Sequence, residues 1–243
     1  MNQETLEELA QRLDAHETVA VVTVVGGATG GQALLDGSAT IVAGSFDSEA
    51  LSAAVAARAA TYLGELRSGR ETIAVDGDDH DLFFEVYPAP PQIIVIGAVH
   101  VAIHLVAFGK RLGFHTIVID PRTAFATEER FAEADELVTE WPGEALGRLR
   151  ITDNTYFALL AHDLKIDLPA LEVALKSPAR YIGALGSKKT QAKRAAALKE
   201  LGFTDAEIGR ISNPIGLDLG GRRAEEIALA IIAEMVAVRH GRA

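Results

Sequence analysis

The 243-residue sequence contains no cysteine, one tryptophan and two methionines. Without a thiol the chain has no disulfide, no cysteine nucleophile and no cysteine-ligated zinc or iron–sulfur centre. Its longest apolar runs, residues 19–25 and 228–232, are far shorter than the roughly 20 residues that span a bilayer. The acidic N-terminus also lacks the basic start of a signal peptide. We therefore expect a soluble, cytoplasmic protein with no membrane partner.

Basic residues are scarce in the first third of the chain. Residues 1–88 hold 4 Lys and Arg against 15 Asp and Glu, whereas residues 89–243 hold 19 of each kind, so the first part carries the whole net charge of −11. This asymmetry predicts two regions with different partners. Attraction to a phosphate backbone needs a clustered basic surface, which this composition does not favour, and we expect no nucleic-acid partner.

A proline-rich segment, Pro88-Ala89-Pro90-Pro91, separates two patterns of secondary structure. Proline cannot donate a hydrogen bond to a sheet and disfavours helix before it, so this segment predicts a boundary between domains at residues 1–88 and 89–243. After it, strands and helices alternate, which is typical of a parallel sheet with helices on both faces. The predicted fold class is α/β: a Rossmann-like parallel-sheet domain preceded by a smaller α+β domain.

The elements of both domains follow from hydrophobic periodicity. The first domain should begin with an amphipathic helix that has Leu6, Leu9 and Leu13 on one face. It should also contain a strand at residues 18–25, a helix at 49–66, and two hairpins, the second closing around the acidic loop 76–81. The second domain should contain strands at residues 93–96, 115–119, 137–139, 156–161 and 181–182, and helices at 98–112, 168–176, 188–201 and 225–239.

The first glycine motif of the second domain is Gly97-Ala98-Val99-His100, with Asp120 about 20 positions later. A dinucleotide-binding unit needs a glycine at the strand-to-helix turn, a second glycine beside the pyrophosphate, and an acidic residue for the ribose hydroxyls. Gly97 and Asp120 fill the first and last places, whereas Val99 replaces the second glycine. The motif predicts a Rossmann scaffold whose groove either binds a cofactor, with NAD(P) as one candidate, or is vestigial.

Two further glycine motifs are candidate anion sites. Gly183 and Gly186 precede Ser187, which is placed to cap a helix whose first residue is Lys188, and free amides at such a helix start attract phosphate. The other basic residues of that helix, Lys189, Lys193, Arg194 and Lys199, either add to this attraction or form a solvated face. The third motif contains Gly216 and Asp218 before the final predicted helix, and serves as a ligand contact or as a plain loop.

Histidines provide the candidates for acid–base chemistry. His162 and Asp163 follow a predicted strand, where the carboxyl ends of parallel strands meet the ligand crevice, and they are candidate catalytic residues, although Asp163 also suits a turn. His100 and His104 lie one helical turn apart without a matching carboxylate, so we expect no metal site. The sequence defines no catalytic residue beyond these two candidates.

Taken together, these motifs resemble the xanthine dehydrogenase accessory (XdhC/CoxI) family over residues 90–238. The matching segments are residues 95–102, Asp120-Pro121-Arg122 with Phe125-Ala126-Thr127, Ala161-His162-Asp163, residues 180–187, and residues 214–220. The resemblance implies a Rossmann-containing chaperone that binds molybdenum cofactor and delivers it to a molybdenum hydroxylase of the xanthine dehydrogenase type. It implies a cofactor site that includes Gly97, Ala98, Val99, His100, Asp120 and Arg122, together with Gly183, Gly186, Ser187, Lys188, Gly216 and Asp218.

The chain departs from the family at several positions. The second fingerprint glycine is Val99 here, and the cysteine that the family usually has is replaced by Asp47 or its neighbours. The family usually has a threonine at the position of Ala161. We thus expect an accessory factor that binds a phosphate-bearing pterin or nucleotide and forms a homodimer. The alternatives are a nicotinamide-dependent oxidoreductase using Asp120 and His162, and a degenerate scaffold that binds no ligand.

Overall fold

The computed structural model describes residues 2–26 and 30–242, which form two compact units that divide between Ala89 and Pro90. The first unit is built on a five-stranded antiparallel sheet in the order β3-β2-β1-β5-β4. Its elements are α1 (Gln3–Asp14), β1 (Val19–Gly26), β2 (Gly31–Leu35), β3 (Ile41–Phe46), α2 (Glu49–Glu65), β4 (Gly69–Val75) and β5 (Asp78–Tyr87).

The two helices of this unit cover opposite faces of the sheet. Strand residues alternate between the faces, so Ala20, Val22 and Phe84 pack beneath α2, whereas Val19 and Val21 lie on the other face with α1. The unit therefore has one core on each side of its sheet. The α+β prediction for this region is confirmed.

Two details of the first unit differ from the prediction. Helix α1 buries Thr5 and Leu9, which lie one turn apart, whereas Leu6 is 53% exposed, so the predicted leucine face is buried only at Leu9. The second hairpin closes at Asp76 and Gly77, both with positive φ, and the acidic residues Asp78, Asp79 and Asp81 belong to β5. Acidic composition had indicated a loop, but ladder pairing with β4 overrides it.

The second unit is a six-stranded parallel sheet in the order β11-β10-β9-β6-β7-β8. Its elements are β6 (Gln92–Ile96), α3 (His100–Arg111), β7 (His115–Ile119), β8 (Glu136–Val138), α4 (Pro142–Leu146), β9 (Thr155–Leu159), α5 (Leu164–Lys176), β10 (Tyr181–Ala184), α6 (Lys188–Glu200), α7 (Asp205–Ile208), β11 (Ile211–Ser212) and α8 (Ala224–Arg239). Counted from β6, this is the Rossmann strand order, and the predicted fold class is confirmed.

Helices cover both faces of the parallel sheet. Helices α3 and α8 pack on one face, around Leu105 and Ile231, and α5 and α6 contribute Leu171 and Leu198 to the other. The strand order reverses between β6 and β9, and this switch point is where open α/β sheets place their ligands. The sequence missed the short elements α4, α7 and β11, which contain too few residues to show a period.

Among the described helices, none combines the length and the apolar character required to cross a bilayer.

We predict that residues 90–243 fold without the preceding unit, because they contain their own two-sided core. A fragment of these residues should unfold in one cooperative urea transition, at a midpoint that matches one transition of the full chain. A fragment that lacks a cooperative transition would contradict the prediction of separate domains.

Candidate functional site

The candidate site lies at the carboxyl edge of the parallel sheet, where loops follow β6, β9, β10 and β11. Neighbouring strands lie about 4.8 Å apart, so the loops after β6 and β10 lie about 10 Å apart and flank the loop after β9. This edge therefore collects all three glycine motifs, together with His162 and Asp163.

Gly97 lies where the loops after β6 and β9 approach closely. Its φ is +109°, and a Cβ at this position would lie 2.7 Å from the backbone nitrogen of Ala161. The adjoining backbone is fixed as well, since the Gly97 amide donates to the Ile119 carbonyl at 2.9 Å and the Leu160 amide donates to the Ile96 carbonyl at 2.8 Å. A glycine is required here both by conformation and by space.

Asp120 is fully buried rather than facing the groove. Its Oδ2 accepts the Ala98 amide at 2.7 Å and the Arg122 Nη2 at 2.7 Å, and its Oδ1 accepts the backbone amide and Nε of Arg122, both at 2.9 Å. Burial opposes ionisation, but the hydrogen bonds from Arg122 and Ala98 outweigh it and lower the pKa of Asp120. The carboxylate predicted to bind ribose is thus hydrogen-bonded within the fold.

Both backbone polar groups of Ala98 are held by side chains. Asp120 accepts the Ala98 N–H, while Arg130 Nη1 donates to the Ala98 carbonyl at 3.1 Å and also to the Phe125 carbonyl. Arg122, predicted to contact a cofactor, pairs with Asp120 and lies 4.7 Å above the ring of Phe125. Sequence reasoning missed Arg130, because no motif surrounds it.

Helix α3 begins beside Ala98 without a side-chain cap. Its N-cap residue is Val99, which packs partly against the core, and the first turn contains no acidic residue. His100, the first helical residue, is exposed. A helix start with uncapped amides and no acidic residue in its first turn retains its partial positive charge, which favours an anion.

A second helix start of this kind belongs to α6. Ser187 caps it, as predicted, by accepting the Thr190 amide at 3.3 Å, and the first turn is again free of acidic residues. Lys188 and Lys189 are exposed, and neither has an ion-pair partner within the described parts of the chain. Gly186, with φ +154°, leads into this turn.

Gly183 lies within a strand and not in the predicted loop. Strand β10 extends to Ala184, so Gly183 lies inside the sheet between β9 and β11. A Cβ on Gly183 would lie 2.5 Å from Cγ1 of Ile215, which explains the glycine by packing. The amides available at this strand end therefore begin after Leu185, whose own amide donates to the Leu159 carbonyl.

Arg194 does not belong to the basic surface of α6. Its side chain is 1% exposed and forms an ion pair with Asp167, which is fully buried in the first turn of α5, at 2.7 Å. Burial raises the pKa of Asp167 even though Arg194 opposes the shift. Lys193 and Lys199 are exposed. The sequence does not distinguish Arg194 from the neighbouring lysines, because its acidic partner, Asp167, lies 27 residues away.

The third glycine motif is fixed by helix α8. The Gly216 amide donates to Glu234 at 2.7 Å, and a Cβ on Gly216, whose φ is +89°, would lie 3.0 Å from the backbone of Ala230. Glu234 also accepts hydrogen bonds from the hydroxyls of Tyr181 and Ser212. Asp218 lies in the exposed part of the loop and accepts the Gly220 amide at 3.3 Å.

The candidate catalytic pair lies on the loop after β9. His162 is exposed with a φ of +59°, and Asp163 is the N-cap of α5, accepting the Lys165 amide at 3.0 Å. Capping of α5 therefore accounts for an aspartate at position 163. Within residues 2–26 and 30–242, no group of three or more metal-ligating side chains comes together.

In the first unit, Asp47 stands in the region of the family cysteine. Its Oδ2 accepts the Gly30 amide at 2.7 Å, just before Ser48 caps α2. Close packing of β2 on β3 explains a nearby glycine, since a Cβ on Gly44 would lie 2.2 Å from the carbonyl of Gln32. The sequence Gly26-Gly27-Ala28-Thr29-Gly30-Gly31, which is expected to end the first strand, is described only at its ends, because residues 27–29 lie outside the described residues.

We predict that Gly97→Ala lowers the free energy of unfolding by at least about 3 kcal/mol, because it adds a steric clash to an unfavourable φ. The matched control is Gly113→Ala, which has a positive φ of +76° but open space around its Cβ and should cost about 1 kcal/mol. Urea denaturation measures both. Equal losses would show that the contact with Ala161 is unimportant.

We predict that Asp120→Asn costs about 2 kcal/mol at pH 7, because Arg122 loses its charged partner. Asp218→Asn, in an exposed loop, should change stability by less than about 0.5 kcal/mol. Since the pKa of Asp120 is lowered in the folded state, its stabilisation is present above its ordinary pKa and is lost as the pH falls through the folded value. The difference between wild type and Asp120→Asn should therefore narrow only below about pH 4.

Comparison with known proteins agrees with this architecture. A crystal structure described as a xanthine dehydrogenase from Bacillus halodurans matches 98% of this chain and 67% of its own, with a TM-score of 0.70 and 21% identity, which shows a shared fold. The molybdenum cofactor insertion chaperone PaoD of Escherichia coli is 39% identical over 90 residues. A Bacillus subtilis protein described as a probable subunit of xanthine dehydrogenase is 27% identical over 159 residues.

The matched regions cover less than half of these curated relatives. They span 37% of this chain and 28% of PaoD, and 65% of this chain and 46% of the Bacillus subtilis protein. The model of the XdhC Rossmann domain matches residues 93–235, which is more than half of the chain and nearly all of the second unit. The chain therefore belongs to the family of proteins with an XdhC Rossmann domain.

Proposed function

We propose that this protein is an accessory factor that binds a phosphate-bearing pterin, the molybdenum cofactor, and delivers it to a molybdenum hydroxylase. The observation that carries the proposal is the pair of helix starts, α3 and α6, at the carboxyl edge of the sheet. Neither has an acidic residue in its first turn, and α6 adds Lys188 and Lys189. The name of the relative PaoD as an insertion chaperone supports the same function.

The residues at this edge fit the phosphate end of such a ligand. Backbone amides at a helix start donate to phosphate oxygens, and exposed lysines add positive charge without competing carboxylates in the turn. The metal end finds no matching donor set, because the chain has no cysteine and Asp47 is engaged with Gly30. We therefore assign recognition to the phosphate and the pterin ring, and not to a bond between protein and metal.

Within this proposal the chain binds, orients and releases its ligand. Gly97 lets the loops after β6 and β9 approach closely at Ala161, and Asp120 and Arg130 fix the backbone of Ala98 at the start of α3. The molybdenum cofactor supplies redox chemistry in the hydroxylase that receives it. Delivery to that client and the homodimer are predictions that accompany the proposal.

The geometry favours this function over the nicotinamide-dependent alternative. A dinucleotide-binding unit needs its acidic residue free for the ribose hydroxyls, whereas Asp120 is buried and accepts four hydrogen bonds. Val99 further places a β-branched side chain where the backbone would approach a pyrophosphate. A ligand with a single terminal phosphate makes neither demand.

We predict that protein made in a molybdenum-replete host retains a pterin that mass spectrometry detects after denaturation. The double variant Lys188→Ala/Lys189→Ala should retain about fivefold less, because it loses two charges beside the phosphate. Lys193→Ala/Lys199→Ala removes the same charge from the same helix away from its start, and should retain the wild-type amount.

Two results would count against the proposal. Repeated absence of pterin from the wild-type protein would remove its main support, as would equal retention by the two double variants. The nicotinamide-dependent alternative is tested by a titration with NADH, followed by the fluorescence of Trp141. Saturable micromolar binding of NADH would favour the oxidoreductase instead.

A further inference from the structure

A buried guanidinium lies directly beneath the start of α6. The side chains of Arg194 and Asp167 are 1% and 0% exposed and pair at 2.7 Å. Within the described chain, Asp167 Oδ1 and Arg194 Nε have no hydrogen-bond partner. Removing two charges from water is costly, and a buried pair with unsatisfied atoms is a poor source of stability. This pair therefore calls for an explanation other than stability.

Arg194 connects three separate segments at the carboxyl edge. Besides Asp167 on α5, it donates through Nη2 to the Leu185 carbonyl at 3.1 Å and through Nη1 to Asn213 Oδ1 at 3.3 Å. Leu185 immediately precedes the turn into α6, and Asn213 follows β11. One side chain thus ties the loops after β10 and β11 to the first turn of α5.

The contact with Leu185 also sets the direction of an amide. In a planar trans peptide the carbonyl and the following N–H point in opposite directions. Because Arg194 holds the Leu185 carbonyl, the Gly186 N–H points away from the buried guanidinium. Gln191 repeats this arrangement one peptide further on, since its Nε2 donates to the Gly186 carbonyl at 3.1 Å and so directs the Ser187 N–H.

These two amides are available to a ligand. Neither the Gly186 nor the Ser187 N–H has an acceptor among the residues that the structure describes. They lie beside Lys188 at the edge where the anion is expected. The side chains of Arg194, which is buried, and Gln191, which is half-buried, thus orient the consecutive amides of Gly186 and Ser187.

We propose that the Asp167–Arg194 pair and Gln191 are positioning residues, which orient the Gly186 and Ser187 amides towards a phosphate group before it binds. This inference rests on the proposed function, and adds to it which residues preorganise the site without touching the ligand. A donor that is already aimed needs no reorganisation when the anion arrives, and that raises affinity.

The test measures the affinity of the full chain for inorganic phosphate. Sodium phosphate is titrated into ¹⁵N-labelled protein, with sodium chloride at equal ionic strength as the reference, and the amide shifts of Gly186 and Ser187 are followed. The first variant, Asp167→Leu/Arg194→Met, replaces the ion pair by apolar side chains of similar size, which buried sites often tolerate. Gln191→Ala is the second, and Lys199→Ala is the control on the same helix.

For Asp167→Leu/Arg194→Met we expect a melting temperature within about 5 °C of the wild type, but a Kd for phosphate about tenfold higher. Gln191→Ala should unfold at the wild-type temperature and bind about fivefold more weakly, and Lys199→Ala should match the wild type in both. The separation of stability from affinity identifies positioning. If the double variant fails to fold, Gln191→Ala decides the question by itself.

The contrary results are distinguishable. If wild type shows phosphate-dependent shifts and the folded variants bind with the same Kd, the positioning role is overturned and the proposed function stands. If wild-type Gly186 and Ser187 do not respond to phosphate, the anion site is overturned, together with the role assigned to Arg194.

Discussion

The close approach of Gly97 to the backbone of Ala161 is the constraint on which the candidate site depends. It joins the two loops at the point where the strand order reverses, and it leaves no room for a Cβ. Because the two adjoining strands are paired in parallel register, their ends cannot separate without breaking the ladder. The start of α3 is therefore held at a fixed place relative to the loop after β9.

Charges at this edge are distributed by burial. The buried carboxylates of Asp120 and Asp167 are each matched by an arginine, and Arg194 also holds the loops after β10 and β11. The positive charges that remain on the surface of α6 at its start lie at Lys188 and Lys189. Pairing of the interior acids thus leaves the start of the helix electropositive in a protein whose net charge is −11. An anionic ligand can be attracted locally although the chain as a whole repels it.

The sheet of the second unit was predictable because its strands are largely apolar segments that alternate with segments of helical periodicity. Residues 115–119 illustrate this, since the predicted strand and β7 coincide. The predicted cap Ser187 lies where α6 begins, and its side chain accepts an amide of the first turn. Local chemistry of this kind is encoded within a few residues, so a single sequence is sufficient to predict it.

Other features depend on partners that are distant in sequence. Asp120 matches the fingerprint by spacing, but its burial is decided by the Ala98 amide and by Arg122. Arg194 resembles its lysine neighbours in sequence, and only folding brings it to Asp167. The sequence around Gly183 is typical of a phosphate-binding loop, yet a glycine is needed there because the side chain of Ile215 leaves no room for a Cβ. In each case the sequence shows the residue type, but tertiary packing sets the environment, which a single sequence does not reveal.

Helix α8 has a consequence for the order in which the carboxyl edge can form. Glu234 accepts hydrogen bonds from Tyr181, Ser212 and the Gly216 amide, all of which precede it in the chain. During synthesis these donors leave the ribosome before their acceptor does, since translation proceeds from the N-terminus. The hydrogen bonds from Tyr181, Ser212 and Gly216 can therefore form only after α8 has been synthesised, so this part of the carboxyl edge is completed after the strands themselves.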